Sequence, residues 1–500
     1  MINLHEIKFA TKIFELMRYT FYFFLAFIFL LSCKDDNDDI SQNKADNTSQ
    51  STESLEIEEF VWEGLNYIYY WQQTVPDLAD DRFDSQKAYT SYLRQFNGKP
   101  DVLFESLLSE EDRFSWIVDD YVALENQLNR VYKTSGMSLI LAELGETGGV
   151  FAIVRYVLPG SDADDKEIKR GDIFYSVNNE LMTTDNYSDL LDSENENFSI
   201  QLAQISGNVL NPTGVSVNLV KSVFQENTVH KYEVIEIDNQ KVGYLMYNGF
   251  TADSETNLTN VLSEFSAEGI DHFVIDLRYN RGGRISVAIK LASMITGQFN
   301  DALFVQDQHN EKRSSWNENY LFEAQDVHLN MDKIYVITSS STASASEVLI
   351  NGLDPYIDVI LIGDTTSGKN VGSYTIYDWI DNDGTKNPNH NWAMQPIALK
   401  IANSQGFAEF EEGLAADHIL LESISNLGTI GAIDEPLFEK TLEVMGVLTP
   451  QPLRNDQLNR QKIPFKVLKP LEKNFMHVDL PKQLRFKTYR KHQEINSDLE

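Results

Sequence analysis

The sequence predicts a multidomain α/β protein, and three observations support this prediction. The chain has 500 residues with 42% apolar content, which is enough for about two to four domains with cores of their own. Residues 55–128 combine helical spacing with many aromatic side chains. From residue 230 to residue 363, apolar strand patterns alternate with helical patterns, which is typical of βαβ units and a mainly parallel sheet.

Charge and composition exclude several classes of function. A formal net charge of −35 argues against nucleic acid as a partner, because phosphate binding needs basic patches. We interpret the acidity as a solubility feature. The acidic loop DNDG at 381–384 could suggest calcium, but it lacks the ligand pattern of an EF-hand, so we expect neither a metal nor a cofactor.

The N-terminal segment predicts secretion. Residues 17–33, MRYTFYFFLAFIFLLSC, have a cationic start, an apolar run and a small-residue end, as a signal peptide does. The final LLSC resembles a bacterial lipobox, which would make Cys33 the lipidated first residue of the mature protein. Cys33 is the only cysteine, so no intramolecular disulfide can form. An uncleaved membrane anchor is the alternative, although a spanning helix needs about 20 apolar residues.

A polar, acidic and aperiodic stretch follows at residues 34–54, and we expect a disordered tether there. Its first residues, KDD, resemble surface-export signals on lipoproteins of some Gram-negative lineages. The expected location is therefore the bacterial cell envelope, with a lipid anchor in the outer membrane on its periplasmic face or at the cell surface.

Residues 55–130 predict a small helical region. Phe60, Leu65, Ile68 and Tyr69 fall on one helical face, which we interpret as core.

Residues 135–222 resemble a PDZ domain, with an alternating strand, the turn PGS, a polar helix and the segment RGDIFYSVNNE. That fold adds a peptide as an extra strand and holds its terminal carboxylate in a backbone nest. The residues predicted to form this nest are Gly136, Met137, Ser138 and Leu139. Residues 194–211 form an insert longer than the fold requires. The alternative is a packing or gating module with no peptide affinity of its own.

The centre of the sequence is the stretch 333–371. A β-branched apolar run at 334–338 predicts a buried strand, and small residues follow it. Helical spacing begins at Glu347, and a second buried strand at 359–362 leads into GDTTSGK, which contains Lys369.

This strand–turn–helix arrangement suits a serine nucleophile. A serine at the start of a helix lies near free backbone N–H groups and the positive end of the helix dipole, where an oxyanion is stabilised. No histidine lies nearby in sequence, so the base would be Lys369, whose pKa must fall from about 10.4 through desolvation. Ser–Lys is a known nucleophile–base pair. The alternative is that the small residues only cap a helix or allow close packing.

The segment TASASE, followed 25 residues after its first serine by the lysine of SGK, resembles the carboxyl-terminal processing peptidases, or tail-specific proteases. The resemblance implies that Ser344 is the nucleophile, Lys369 the base and Glu347 a residue that orients the lysine. It also implies an oxyanion hole built from backbone N–H groups of three residues. These are Ala345 and, in the motif FVIDLRYNRGG, the pair Gly282 and Gly283. The glycine pair also suits a turn that starts a helix.

The resemblance further implies a fold class with three parts: a small N-terminal helical region, a PDZ-like α+β domain and a crotonase-like (ClpP/crotonase-type) α/β catalytic domain. The expected divisions of the chain are a signal peptide at 1–33, the tether at 34–54, the helical region at 55–130, the PDZ-like domain at 135–222, the catalytic domain at 230–447 and a tail at 448–500. The chain departs from the family where Asn370 replaces a glycine after the lysine.

The C-terminal tail differs in composition from the rest of the chain. Residues 449–500 hold 11 Lys/Arg against 6 Asp/Glu, and they contain five prolines. We expect an extended basic tail with little capacity to form a core, lying on the acidic body.

The function that follows is a serine endopeptidase of the C-terminal processing type, acting on envelope or extracellular polypeptides. The alternative is a non-catalytic peptide-binding lipoprotein, in which the serine only caps a helix. Tricorn-like relatives are a second alternative, but they need a histidine base and the histidines here do not fit that pattern. The sequence predicts no oligomeric state.

Overall fold

The structure is a computed structural model that describes residues 54–449, apart from residues 146, 147, 207, 208, 382 and 425, together with residues 465–468 and 475–477. The described residues fall within one compact unit that begins at Ser54. The predicted signal peptide, the tether and the lipidation residue Cys33 lie outside the described residues. Within the described part of the chain, no helix has the length and apolar character needed to cross a membrane.

The first region is mostly helical, as predicted. Its elements are α1 (Glu56–Ile68), 3-10 turns at Gln72–Thr74 and Pro76–Leu78, α2 (Gln86–Leu93), a 3-10 turn at Arg94–Phe96, α3 (Pro100–Ser106), β1 (Trp116–Val118) and α4 (Tyr121–Leu128). The predicted core face is confirmed, since Phe60, Leu65, Ile68 and Tyr69 are all buried. The side chains of Ser85 and Asp120 cap α2 and α4, each accepting backbone N–H bonds.

The second region is a sheet with two short helices, where the sequence predicted one helix. Its elements are β2 (Val131–Thr134), β3 (Met137–Leu144), β4 (Gly149–Val157), α5 (Asp162–Asp165), β5 (Ile173–Val177), β6 (Glu180–Leu181), α6 (Tyr187–Leu191), β7 (Asn197–Ser206), β8 (Val209–Val220) and β9 (Ser222–Gln225). Strands β3, β4, β5, β7 and β8 pair antiparallel in that order. The predicted insert 194–211 contributes most of the β7–β8 hairpin.

The third region contains the predicted βαβ alternation. Its first elements are β10 (Val229–Ile237), β11 (Gln240–Tyr247), α7 (Ser254–Glu268), β12 (His272–Asp276), β13 (Gly282–Arg284), α8 (Ile285–Thr296), β14 (Leu303–His309), a 3-10 helix at Glu311–Trp316, β15 (Asn319–Leu321), β16 (Lys333–Thr338), α9 (Ala345–Leu353) and β17 (Asp358–Gly363). From β11 to β17 the sheet is parallel, and β10 is an antiparallel edge strand. The mainly parallel sheet is therefore confirmed.

The remaining elements complete two sheets. They are β18 (Val371–Ser373), β19 (Ile376–Tyr377), β20 (Ala393–Gln395), β21 (Ile397–Asn403), β22 (His418–Ile419), α10 (Pro436–Met445), β23 (Phe465–Val467) and β24 (Phe475–His477). The order of the parallel sheet is β10-β11-β12-β16-β17-β22, and a second, mixed sheet has the order β13-β24-β18-β21-β14-β15. A small sheet, β1-β20-β19, joins the first region to the third.

Both faces of the parallel sheet are covered. One face, with Leu245, Ile275 and Val336, belongs to the same core as α8, α9 and the second sheet. The opposite face, with Tyr244 and Ile337, packs with residues of α10. Strands buried on both faces explain the nearly continuous apolar runs in the sequence. The loops after β12, β16 and β17 leave the same edge of the sheet, where a site is expected in an open α/β sheet.

Candidate active site

Ser344 lies at the N-terminus of α9 with φ 65° and ψ −118°, a conformation that non-glycine residues rarely adopt. Its side chain is fully buried, and its Oγ has no hydrogen-bond partner among the residues that the structure describes. A strained, buried serine at a helix N-terminus is a suitable position for a nucleophile.

Asn280, in the loop after β12, joins the glycine loop to the turn that carries Ser344. Its backbone carbonyl accepts the Ala343 N–H at 3.0 Å and the Ser346 hydroxyl at 3.1 Å. Its side-chain amide donates to the Tyr247 carbonyl at 2.8 Å. The loop after β12 and the turn after β16 are therefore fixed to each other through one residue.

Lys369 follows β17 in the loop Ser367–Asn370 and is buried, with 1% of its surface exposed. Burial lowers the pKa of its ammonium from 10.5 to about 7, although the carboxylates of Asp112 and Glu347 act in the opposite direction. The Ser367 N–H donates to the Thr342 carbonyl at 2.9 Å, which ties the lysine loop to the serine turn. A lysine in this state is neutral for much of the time near neutral pH.

Glu347 holds these two segments together. Its carboxylate accepts the backbone N–H of Ser344 at 2.7 Å and that of Lys369 at 2.8 Å. It also accepts the Gly368 N–H at 2.7 Å and the Thr366 hydroxyl at 2.5 Å. Burial raises the pKa of Glu347, while these hydrogen bonds act to lower it. The sequence predicted that Glu347 orients the lysine, and in the structure it contacts the lysine backbone.

The predicted oxyanion donors divide into two groups. Ala345 is the first residue of α9, so its N–H has no acceptor within the helix. The Gly282 N–H donates to Asn280 Oδ1 at 2.9 Å and is thus already engaged. Gly283 has φ 139°, and a Cβ there would lie 2.1 Å from the Phe250 carbonyl oxygen, so only glycine fits. Of the pair, Gly283 is the candidate donor and Gly282 supports the loop.

Three consecutive residues from the first region reach the lysine, and sequence reasoning missed them. The Phe114 ring centroid lies 5.1 Å from the Lys369 ammonium, and Asp112 acts on its pKa. Arg113 donates to the carbonyls of Gly368 and Glu411, both at 2.9 Å. These residues are about 250 positions from Lys369, and a single sequence carries no signal that would connect them.

Asn370, where the family has a glycine, uses its side chain to fix the lysine loop. Its amide donates to the Ala408 carbonyl at 2.6 Å and to the Glu411 carboxylate at 3.0 Å. The departure from the family pattern thus adds hydrogen bonds beside the lysine.

The predicted carboxylate nest lies at the start of β3. Gly136 has φ 99°, and its N–H donates to Thr134 Oγ1 at 2.9 Å. Met137 and Leu139 line a cleft of 1210 Å³ that also includes Phe114 and Ser367. The structure therefore brings the predicted peptide loop and the lysine loop to one cleft. Gly136 and Ser138 are not in its lining, and neither is Ser344.

In the described ranges, no group of three or more His, Cys, Asp and Glu side chains could hold a metal ion.

Fold and site together define an α/β protein with a buried serine and a buried lysine, whose backbone N–H groups donate to one glutamate at the edge of a parallel sheet. Residues 241–393 match Peptidase family S41, and residues 56–116 match the Peptidase S41 N-terminal domain. These two segments of the chain are therefore similar to peptidase family S41. The first match contains the serine, lysine, glutamate and glycine pair, and the second contains the three residues that sequence reasoning missed.

Comparison with individual proteins agrees with this family. The chain is 29% identical over 156 residues to the carboxyl-terminal-processing protease of Picosynechococcus sp.. This alignment covers 31% of this chain and 36% of the relative. It is 23% identical over 305 residues to the chloroplastic carboxyl-terminal-processing peptidase 1 of Arabidopsis thaliana. This alignment covers 57% of this chain and 60% of the relative. The chain thus matches only about one third to three fifths of the length of these curated relatives.

A solved structure extends the likeness in fold. The crystal structure of a protein assigned to the S41 proteases, from Bacteroides fragilis, aligns with a TM-score of 0.63 at 23% identity. The alignment covers 78% of this chain and 98% of that chain. It shows a shared multidomain α/β fold.

Proposed function

We propose that the protein is a serine endopeptidase of the C-terminal processing type that cleaves polypeptides through Ser344 and Lys369. One observation carries the proposal: the Glu347 carboxylate accepts the backbone N–H of both residues, while burial lowers the pKa of the lysine to about 7. A solvated lysine could not act as a base at neutral pH, whereas this one can.

The reaction would proceed in two halves. Neutral Lys369 takes the proton of the Ser344 hydroxyl as its Oγ attacks the substrate carbonyl carbon, and the N–H groups of Ala345 and Gly283 stabilise the oxyanion. The C–N bond breaks as the lysine ammonium returns the proton to the leaving amine. A water then attacks the acyl group on Ser344 with Lys369 again as the base, and the product leaves as a carboxylic acid.

The finer assignments belong to the same proposal. Residues 135–222 act as a PDZ-like domain that presents polypeptides to the cleft lined by Met137 and Leu139, and residues 230–447 form a crotonase-like catalytic domain. The location in the bacterial envelope, with lipid at Cys33, rests on the signal-peptide pattern, its final LLSC and the KDD that follows. The position of β3 on the same cleft as Ser367 supports a recruiting role for the domain.

An active-site serine probe tests the proposal. Intact-mass analysis of the protein after incubation with a fluorophosphonate should show one adduct, which disappears in Ser344→Ala. Cleavage of an unstructured protein such as casein should depend on the same residue. An adduct that persists in Ser344→Ala would contradict the assignment. A Lys369→Ala variant that still forms the adduct and still cleaves casein would show that the lysine is not part of the mechanism.

A further inference from the structure

The basic tail contributes two short strands, and both lie at edges that a peptide substrate would use. The first, β23, pairs antiparallel with β3, with Phe465 opposite Leu144 and Val467 opposite Ala142. The chain then continues towards the start of β3, and the Leu468 N–H donates to the Leu141 carbonyl at 2.9 Å. This is strand addition to a sheet edge, the mode expected for a bound peptide.

The second strand, β24, lies between strands β13 and β18, which adjoin the glycine pair and the lysine loop. It pairs parallel with β13, with Met476 opposite Gly283. On its other side it pairs parallel with β18, with His477 opposite Ser373. Strand β13 contains the candidate oxyanion donor, and β18 begins two residues after Lys369. The tail strand is therefore flanked by the segments that carry the oxyanion donor and the base.

The direction of the Gly283 peptide groups makes this position specific. The Phe250 N–H donates to the Gly282 carbonyl at 2.9 Å, and the Arg284 N–H donates to the Phe250 carbonyl at 2.7 Å. The residues on either side of Gly283 thus turn their peptide groups towards Phe250. Since peptide groups of successive strand residues point to opposite sides, those of Gly283 face β24. The tail takes the side from which a substrate carbonyl would approach.

The opposite charges of the basic tail and the acidic rest of the chain also favour binding of the tail within the same molecule. Residues 449–500 hold 11 basic and 6 acidic residues, whereas the whole chain carries −35. A basic segment tethered to an acidic body has a high effective concentration and a favourable potential, so it outcompetes free peptides of similar sequence.

We propose that residues 465–468 and 475–477 act as internal ligands of the substrate groove, which they occupy by strand addition at β3 and between β13 and β18. The proposal rests on the peptidase function proposed above. It implies that polypeptide substrates bind as an extended strand in the same two places and must displace the tail.

The test uses full-length protein with proline at the centre of β24. This strand is paired on both sides, and proline disfavours such a position because it lacks an N–H and fixes φ, so Met476→Pro should weaken the pairing of β24. Met476→Ala keeps the N–H and is the matched control. We expect fluorophosphonate labelling of Ser344 to be at least ~10-fold faster in Met476→Pro, corresponding to about 1.4 kcal/mol of lost occupancy, and unchanged in Met476→Ala.

A second variant guards against a folding defect. Leu468→Pro removes the N–H that bonds to Leu141 at the other end of the segment, far from the glycine loop in sequence. It should also accelerate labelling, by a smaller factor. A synthetic peptide of residues 471–480, LEKNFMHVDL, should slow the labelling of both proline variants again, and the same peptide with proline at the methionine should not. Wild-type labelling rates in both proline variants would overturn the proposal.

A binding measurement separates this proposal from the peptidase proposal. In the Ser344→Ala background, where no reaction is possible, fluorescein-labelled LEKNFMHVDL should bind to Met476→Pro and not to Met476→Ala, as followed by anisotropy. Binding without any labelling of Ser344-containing protein would support the internal ligand and contradict the peptidase. Ser344 labelling at a rate that does not depend on the tail, with no binding of the peptide, would support the peptidase and contradict the internal ligand.

Discussion

Two buried cations in this chain, Lys369 and Arg278, lie in opposite electrostatic states. Both side chains are almost completely shielded from water, at 1% and 0% exposure. Burial lowers the pKa of Lys369 to about 7. Burial also acts to lower the pKa of Arg278, but the carboxylates of Asp276 and Glu435 outweigh it and raise that pKa well above its usual value. Burial alone therefore does not decide whether a cation keeps its proton.

The difference lies in how the neighbouring carboxylates use their lone pairs. Glu435 binds Arg278 bidentately, with Nη1 donating at 2.7 Å and Nη2 at 3.0 Å, and Asp276 accepts from Nε at 2.9 Å. Glu347, by contrast, accepts three backbone N–H groups and one hydroxyl. Glu347 still acts to raise the pKa of Lys369, but burial outweighs it.

The two cations also have different tasks. Arg278 begins the loop that leads to Asn280 and the glycine pair, and its partner Glu435 caps α10 by accepting the Phe438 N–H at 2.9 Å. This pairing fixes the loop against the opposite face of the sheet. Burial lowers the pKa of Lys369 to about 7, so that its amine is neutral in a large fraction of molecules near neutral pH. The charge of Arg278 is thus held by its carboxylate partners, whereas the low pKa of Lys369 suits the base of the proposed mechanism.

Activity gives the largest expected contrast. Lys369→Arg should lose about 10³- to 10⁴-fold in kcat/KM, because a guanidinium keeps its proton and cannot act as the base. In the wild type, kcat/KM should rise with pH along a limb whose midpoint is about 7, where the buried amine becomes neutral. A midpoint near 10, or a Lys369→Arg variant with most of its activity, would show that Lys369 is not the base.

Stability should respond in opposite directions when each cation is replaced by methionine. Arg278→Met leaves buried carboxylates unpaired and should cost about 3 to 5 kcal/mol in the free energy of unfolding. Lys369→Met removes a buried amine whose charged form is disfavoured by burial, so it should stabilise the protein. Lowering a lysine pKa from 10.5 to about 7 corresponds to on the order of 5 kcal/mol, which sets the upper limit.

The pH dependence identifies the origin of that gain. The pKa of Lys369 is lower in the folded state, so the unfolded chain binds more protons between pH 7 and 10.5 and wild-type stability falls as the pH falls through this window. The advantage of Lys369→Met in urea unfolding should therefore grow from pH 10 to pH 7 and level off below about 7. An advantage that does not vary with pH would mean that packing, and not desolvation, explains it.

The sequence predicted the local parts of this site well. The strand expected at 334–338 is Lys333–Thr338, and the helix expected after the small residues begins at Ala345. These predictions hold because strand, turn and helix are encoded by neighbouring residues. The lysine was expected to be desolvated, since a loop between buried strands offers few routes to water, and its burial agrees.

What the sequence did not predict depends on contacts between distant segments. The Phe114 ring over Lys369, the engagement of the Gly282 N–H by Asn280 and the pairing of Met476 with Gly283 each depend on tertiary placement. The tail was expected to be extended with little core, and its strands satisfy that description. Their partners could not be read from composition, because strand addition uses backbone groups that every residue carries.

Backbone strain at Ser344 gives the smallest expected change in stability, and it also distinguishes the loop around Arg278 from the serine turn. Among residues 276–281, around Arg278, no residue has a positive φ, whereas Ser344 has φ 65°. Ser344→Gly and Ser344→Ala both remove the nucleophile and its unbonded buried hydroxyl, so both should be inactive. Only glycine adopts this backbone conformation without a steric penalty. The strain is worth about 1 to 3 kcal/mol, partly offset by the greater freedom of glycine in the unfolded chain, about 0.5 to 1 kcal/mol. Ser344→Gly should therefore be more stable than Ser344→Ala by about 1 kcal/mol in urea unfolding at one pH.

Equal stabilities would mean that the turn relaxes when the hydroxyl is absent, and that Ser344 itself, rather than the packing of α9, maintains the strained conformation.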